Sequence, residues 1–200
     1  MKRFIGILLF GAFLFAPFVC FAEIDMNVDA KVGYFMPSEE SLDTIYGSIP
    51  VLGADLIFWS GRAGISLGLS YMNQDGEPYT TESVSSSSAE IKMSSLKLAG
   101  LYRIIHDPDV AKTKGYPYFG LGVLACGVDE TVTVTSGSAS GSASVSETAY
   151  GLLGLAGFHL PLSEKVSWFV EVELSSASFE NQLKTDVDVG GVTLFTGLRF

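Results

Sequence analysis

The sequence predicts an all-β fold, an eight-stranded antiparallel up-and-down transmembrane β-barrel preceded by a cleavable signal-peptide helix. Three observations predict it. In the last strand Val192, Leu194, Thr196, Leu198 and Phe200 point one way, and Gly191, Thr193, Phe195, Gly197 and Arg199 the other. An apolar face backed by a small or polar one, ending on an aromatic, suits the wall of a lipid-facing barrel. Similar alternation recurs along the chain between polar connections. The mean hydropathy is +0.36 with 22 glycines, yet no stretch after the leader is apolar over the roughly 20 residues a membrane helix needs. A barrel in lipid resolves that combination, because it turns its apolar face outward.

The N-terminus has the layout of an export signal. Lys2 and Arg3 precede Phe4 to Phe15, apolar apart from two glycines, and Pro17 breaks the helix. Cys20 and Ala22 stand three and one before a cut ahead of Glu23, so residues 1–22 are expected to leave and 23–200 to form the barrel domain. A retained anchor or a lipid on Cys20 are the alternatives; bulky Val19 and the short apolar run argue against them. Cleavage removes two cations and lowers the formal charge from −10 to −12. It also leaves Cys126 without a partner for a disulfide. So acidic a chain, without a basic patch, excludes nucleic acid as a partner.

The strands follow in order. The first, Ile24 to Phe35, sets Ile24, Met26, Val28, Ala30, Val32 and Tyr34 against Asp25, Asn27, Asp29, Lys31 and Gly33. A polar loop, Met36 to Gly47, leads to strand two, Ile49 to Trp59, and the tight turn Ser60-Gly61-Arg62. Strand three, Ala63 to Met72, alternates Ile65, Leu67, Leu69 and Tyr71 with glycines and serines. After polar Asn73 to Ser88 comes strand four, Ala89 to Ile104. Its phase slips at Ser94-Ser95, where a bulge is expected. Strand five, Tyr116 to Val134, turns Phe119, Leu121, Val123 and Ala125 outward. Thr135 to Ser146, rich in Ser, Gly and Ala, is expected to be a flexible tip. Strand six, Glu147 to Leu160, has a weak phase because Leu152 and Leu153 are adjacent. Strand seven alternates Val166, Trp168, Val170, Val172 and Leu174 with Ser167, Phe169, Glu171, Glu173 and Ser175; a polar loop, Phe179 to Asp188, leads to the last.

Connections after strands one, three, five and seven are long, and those after two and six tight, the rhythm of outer-membrane barrels. Tyr34, Phe35, Phe58, Trp59, Tyr71, Tyr102, Tyr116, Trp168 and Phe200 stand near strand ends and suit two interfacial girdles.

On these residues the chain resembles a family. Lys31-Val32-Gly33-Tyr34-Phe35-Met36-Pro37-Ser38, Ile45-Tyr46-Gly47 and Gly53-Ala54-Asp55-Leu56-Ile57 look like the opening of small outer-membrane barrels of the OmpA/OmpX and opacity-protein type. Tyr116-Pro117-Tyr118-Phe119-Gly120-Leu121-Gly122 and Phe200 are the further shared pieces, with Phe195 where a glycine is often found. The resemblance implies location in the outer membrane of a diderm bacterium and a lipid environment. It implies an assembly signal at Leu198 and Phe200, read by the barrel-assembly machinery.

For chemistry, the inward-facing Asp25, Asp29, Lys31, Asp55, Glu90, Lys92, Glu171, Glu173 and Arg199 allow a proton relay or an ion-selecting ring. The favoured reading is a packed, ion-paired interior, with Lys31, Lys92 and Arg199 matching Glu171, Glu173 and Asp29. His106 and His159 both fall at the periplasmic end, away from outer-leaflet lipid, so no catalysis is expected. Asp107-Pro108-Asp109 reads as a turn rather than a calcium loop, and no cofactor or metal is predicted. The long polar loops offer an extracellular partner a surface. The expected role is structural or surface-interacting, as a monomer. The alternatives are a narrow channel for small or hydrophobic solutes, and a soluble exported ligand-binding barrel.

Overall fold

A computed structural model describes residues 24–78, 88–105, 113–136, 139–180 and 186–200. The expected signal segment with its Ala22/Glu23 cut, His106 and Asp107-Pro108-Asp109 lie outside the described residues. The strands are β1 (Ile24–Pro37), β2 (Ile49–Ser60), β3 (Ala63–Gly76), β4 (Ser88–Arg103), β5 (Tyr116–Ser136), β6 (Ala139–Pro161), β7 (Ser167–Glu180), β8 (Asp186–Asp188) and β9 (Gly191–Arg199), with one helix, α1 (Glu40–Tyr46). β1 to β7 pair antiparallel in sequence order; β8 and β9 both pair with β7 and share the eighth stave, and β9 returns to β1 to close the barrel.

The expected alternation sets the wall. Leu121, Leu152, Leu69, Leu174 and Leu194 are more than half exposed on the outside. Together with Val32, Leu52, Leu67, Leu96 and Leu98 they make an apolar belt that water would not tolerate and lipid does. Tyr34, Tyr71 and Tyr150 flank it toward the end that carries α1. Phe58, Tyr102, Phe119, Phe158, Trp168 and Phe200 flank it at the other. Phe35, Trp59 and Tyr116, expected in the girdles, instead point inward and are buried.

Several expectations for the outer end are corrected. No bulge interrupts β4: Tyr71 faces Ser94, Ser70 faces Ser95 and Leu69 faces Leu96 in unbroken register. The apparent slip has another cause. Ile91 and Met93 are buried inside, while Leu96 and Leu98, lower on the same strand, face lipid. The apolar side changes with height and the pleat does not. Leu152 and Leu153 resolve likewise, one 69% exposed and the other 3%. The Ser/Gly/Ala segment is ladder rather than flexible tip: β5 pairs with β6 out to Ser136 and Ala139. The loop after β1 contains α1, and the loop after β7 contains β8, which pairs with Ser178–Glu180.

Candidate functional site

The interior is built in three layers. At the end opposite α1, Trp59 meets Tyr116 edge to face and His159 stacks on Tyr116 at 4.4 Å. Arg103 lies 5.0 Å from the Trp59 ring and donates from Nε to the Gly61 carbonyl at 2.6 Å. Gly61 has φ of 60° in the β2–β3 turn, a conformation that suits glycine. The Trp59 Nε1 and His159 Nδ1 atoms are buried without a hydrogen-bond partner among the described residues.

The middle layer is ionic. Lys31 Nζ donates to Asp55 Oδ2 at 2.6 Å, Glu173 Oε1 at 2.9 Å and Glu171 Oε1 at 3.0 Å. Lys97 Nζ bonds both Glu173 oxygens, at 2.7 and 2.9 Å. The Tyr118 hydroxyl donates to Glu171 Oε2 at 2.9 Å. Arg199 forks onto Asp29 with both bonds at 2.7 Å, the bidentate geometry that guanidinium favours. The Phe195 ring lies 4.4 Å from Lys31 Nζ and 5.1 Å from Lys97 Nζ. Glycines make the space. A Cβ on Gly68 would run into Asp55 Oδ1, and one on Gly157 into the Tyr118 ring.

Asp55, Glu171 and Glu173 bring three carboxylates within 4.8 Å of one another, as a metal site would. The Lys31 ammonium already stands among them, so the cation is supplied by the chain itself. Among the described residues the buried charges balance, Asp29, Asp55, Glu171 and Glu173 against Lys31, Lys97, Arg103 and Arg199. Balance matters because unpaired charge in a narrow, nearly dry interior costs several kcal/mol.

The third layer, toward the outside, is apolar. Phe35, Ile49, Val51, Met72, Ile91 and Met93 fill it, and Tyr46 of α1 lies over them with Leu42 and Ile45 packed alongside. The Tyr46 hydroxyl donates to Glu130 Oε1 at 2.7 Å, fastening the helix to β5. Between the ionic and apolar layers lies a cavity of about 30 Å³, lined by Lys97, Glu173, Met93 and Phe195 among others. That is room for about one water.

Of the residues singled out from sequence, Asp29, Lys31, Asp55, Glu171, Glu173 and Arg199 meet inside the barrel. Glu90 and Lys92 do not. They face outward and pair with each other at 2.8 Å, half-exposed, because they stand on β4 above the belt, where the outer face meets water. Asp25 is half-buried at the start of β1. Lys97, Arg103, Tyr118 and Phe195 were missed as members of the network. The signal for Lys97 and Arg103 was present, since both alternate with Leu96, Leu98 and Tyr102 on β4.

A closed eight-stranded up-and-down barrel with an apolar belt and a paired ionic interior defines the class: a transmembrane β-barrel. The chain is similar in structure to Neisserial surface protein A, with a TM-score of 0.58 at 14% identity, covering 88% of this chain and 97% of that one. It is also similar to the outer membrane protein OprG from Pseudomonas aeruginosa, with a TM-score of 0.61 at 16% identity, covering 89% and 95%. The fold is that of small outer-membrane barrels, as the sequence predicted. No protein-family model and no curated protein matches the chain.

Proposed function

We propose that this chain is a non-conducting outer-membrane barrel with a structural and surface-interacting role and no catalysis. The observation that carries the reading is the filled interior. Its ionic layer is charge-balanced and the apolar layer under α1 stands between it and the outside. An ion entering would have to displace paired charges and then cross apolar packing, and neither step is favourable. The belt of exposed leucines supports lipid as the surrounding medium and argues against a soluble ligand-binding barrel. Absence of catalysis is supported by His159, whose ring is buried against Tyr116 rather than presented to a substrate. Assembly as a monomer, guided by Leu198 and Phe200, is part of the same reading.

Conductance of the refolded protein in planar bilayers tests it. Silence at physiological salt is the expected result. Sustained single-channel steps, abolished by substituting Lys31, would overturn the reading in favour of the narrow channel. Retention in aqueous buffer without detergent would overturn the membrane placement.

A further inference from the structure

The buried charges balance in number but not in position. The four buried carboxylates, Asp29, Asp55, Glu171 and Glu173, bond to Lys31, Lys97 or Arg199 within the ionic layer. Arg103, the fourth buried cation, stands instead in the layer opposite α1. Its guanidinium carbon lies 5.0 Å from the Trp59 ring and 5.7 Å from the Tyr116 ring. The residue is 4% exposed, and among the described residues no carboxylate pairs with it. Its Nε is spent on the Gly61 carbonyl, which leaves the two amino groups of the fork for another acceptor. A buried guanidinium without a counter-charge is costly.

Two more groups of this layer lack a hydrogen-bond partner among the described residues. Trp59 Nε1 carries an N–H that can only donate, in a side chain 1% exposed. A Cβ on Gly64 would run into Cε3 of the indole, so that edge lies on β3 and the edge carrying Nε1 turns away from it. His159 Nδ1 is the other, on a ring stacked against Tyr116, and it donates in the tautomer that carries its proton there. A cation and two donors in one layer call for a single negatively charged acceptor.

The surroundings favour an anion arriving from water. Arg62, Lys114 and Lys165 are exposed around this end, against Asp25 and Glu164. The other end has the opposite sign, with Glu40 and Asp43 on α1 and Asp129, Glu130 and Glu147 beside it. Such a field concentrates anions at the end opposite α1. Arg103, Trp59 and Tyr116 are buried on the inward face, behind the wall, so lipid does not reach them.

We propose that Arg103, Trp59 Nε1 and His159 Nδ1 form a binding site for a small oxyanion, a carboxylate or phosphate taken from the water at this end of the barrel. The fork of a guanidinium matches two oxygens of such a group, which a halide does not offer. The site lies apart from the packing that carries the non-conducting reading and does not depend on it.

The test uses the full chain refolded in zwitterionic nanodiscs, with nitrogen-15 in tryptophan and arginine. Sodium acetate, sodium phosphate and sodium chloride are titrated separately at fixed pH. Acetate or phosphate should shift the Trp59 indole N–H signal saturably. The Trp168 signal, whose N–H already bonds Thr196 Oγ1 at 2.9 Å, should stay still. Chloride should bind about tenfold more weakly or less, and Arg103→Gln should weaken acetate and phosphate by about tenfold or more. Trp59→Phe keeps a ring in the layer and serves where Arg103→Gln does not fold; its weaker binding is read at the arginine Nε–H signals. Absence of a saturable shift would overturn the proposal. A chloride response equal to the others would overturn it in favour of screening alone. Unchanged affinity in either variant would do the same for the assigned residues. A shift that appears only in D107N/D109N would show that a carboxylate of the chain itself holds Arg103, and the proposal would fall.

Discussion

The two ends of β4 have opposite polarity. Below Ser95 the strand turns Leu96, Leu98 and Tyr102 outward and Lys97 and Arg103 inward. Above it, Glu90 and Lys92 face out and Ala89, Ile91 and Met93 face in. One uninterrupted pleat carries both arrangements, so the backbone does not choose. The medium on each side does: lipid surrounds the lower part, which must hide its charges, while water surrounds the upper part, which can bury an ordinary apolar core. The barrel is inverted below the Tyr34–Tyr71–Tyr150 level and conventional above it.

Substitutions that cross this boundary test it. The largest effect is expected within the ionic layer. Lys31→Met leaves Asp55, Glu171 and Glu173 facing one another, and loss of one partner of a buried pair costs about 3–5 kcal/mol. Urea unfolding from lipid vesicles should show it, with partial recovery in the Lys31→Met/Glu171→Gln double variant. No change would mean that water fills the layer. Next comes the belt: Leu98→Arg or Leu194→Arg should cost roughly 2–4 kcal/mol, as a cation on the lipid face does near mid-bilayer. If Glu90→Arg destabilised as much in the same assay, the boundary would be misplaced. Tyr46→Phe removes the hydrogen bond to Glu130 and should cost about 1 kcal/mol, read as faster proteolysis within Glu40–Tyr46 while the barrel keeps its gel shift. Glu90→Arg itself belongs at the bottom, within about 0.5 kcal/mol of wild type, because exposed ion pairs contribute little.

The same boundary explains what could be read from the sequence. Stretches within the belt, such as β7 with Trp168, Val172 and Leu174 outside and Phe169, Glu171 and Glu173 inside, are legible in phase, although β7 runs on to Glu180 where a loop from Phe179 is expected. Misreadings gather where the apolar face changes sides. Ser94-Ser95 imitates a bulge, and Glu90 and Lys92 read as inward, when a single face of β4 is taken as apolar along its full length. Aromatics misled for a related reason. Phe35, Trp59 and Tyr116 lie near strand ends but fall on the inward parity. The membership of the ionic layer was partly legible, since inward parity marks Asp29, Lys31, Glu171 and Arg199. Their partners were not, because closure joins residues far apart in sequence, such as Lys31 and Glu171, 140 positions apart. The upper part of β6 is hidden by composition. A run of Ser, Gly and Ala has no alternation to see, and its strand is imposed by the ladder with β5.

The fork between Arg199 and Asp29 has a consequence in time. β1 leaves the ribosome first and β9 last, yet register sets these two residues directly opposite each other. Until β9 arrives, Asp29 has lost its guanidinium partner, and until β7 arrives Lys31 lacks two of its three carboxylates. An unfinished chain thus carries unpaired charges in its earliest strand. Closing the wall is the event that pairs these charges, so an incomplete wall costs more to place in a bilayer than the finished one.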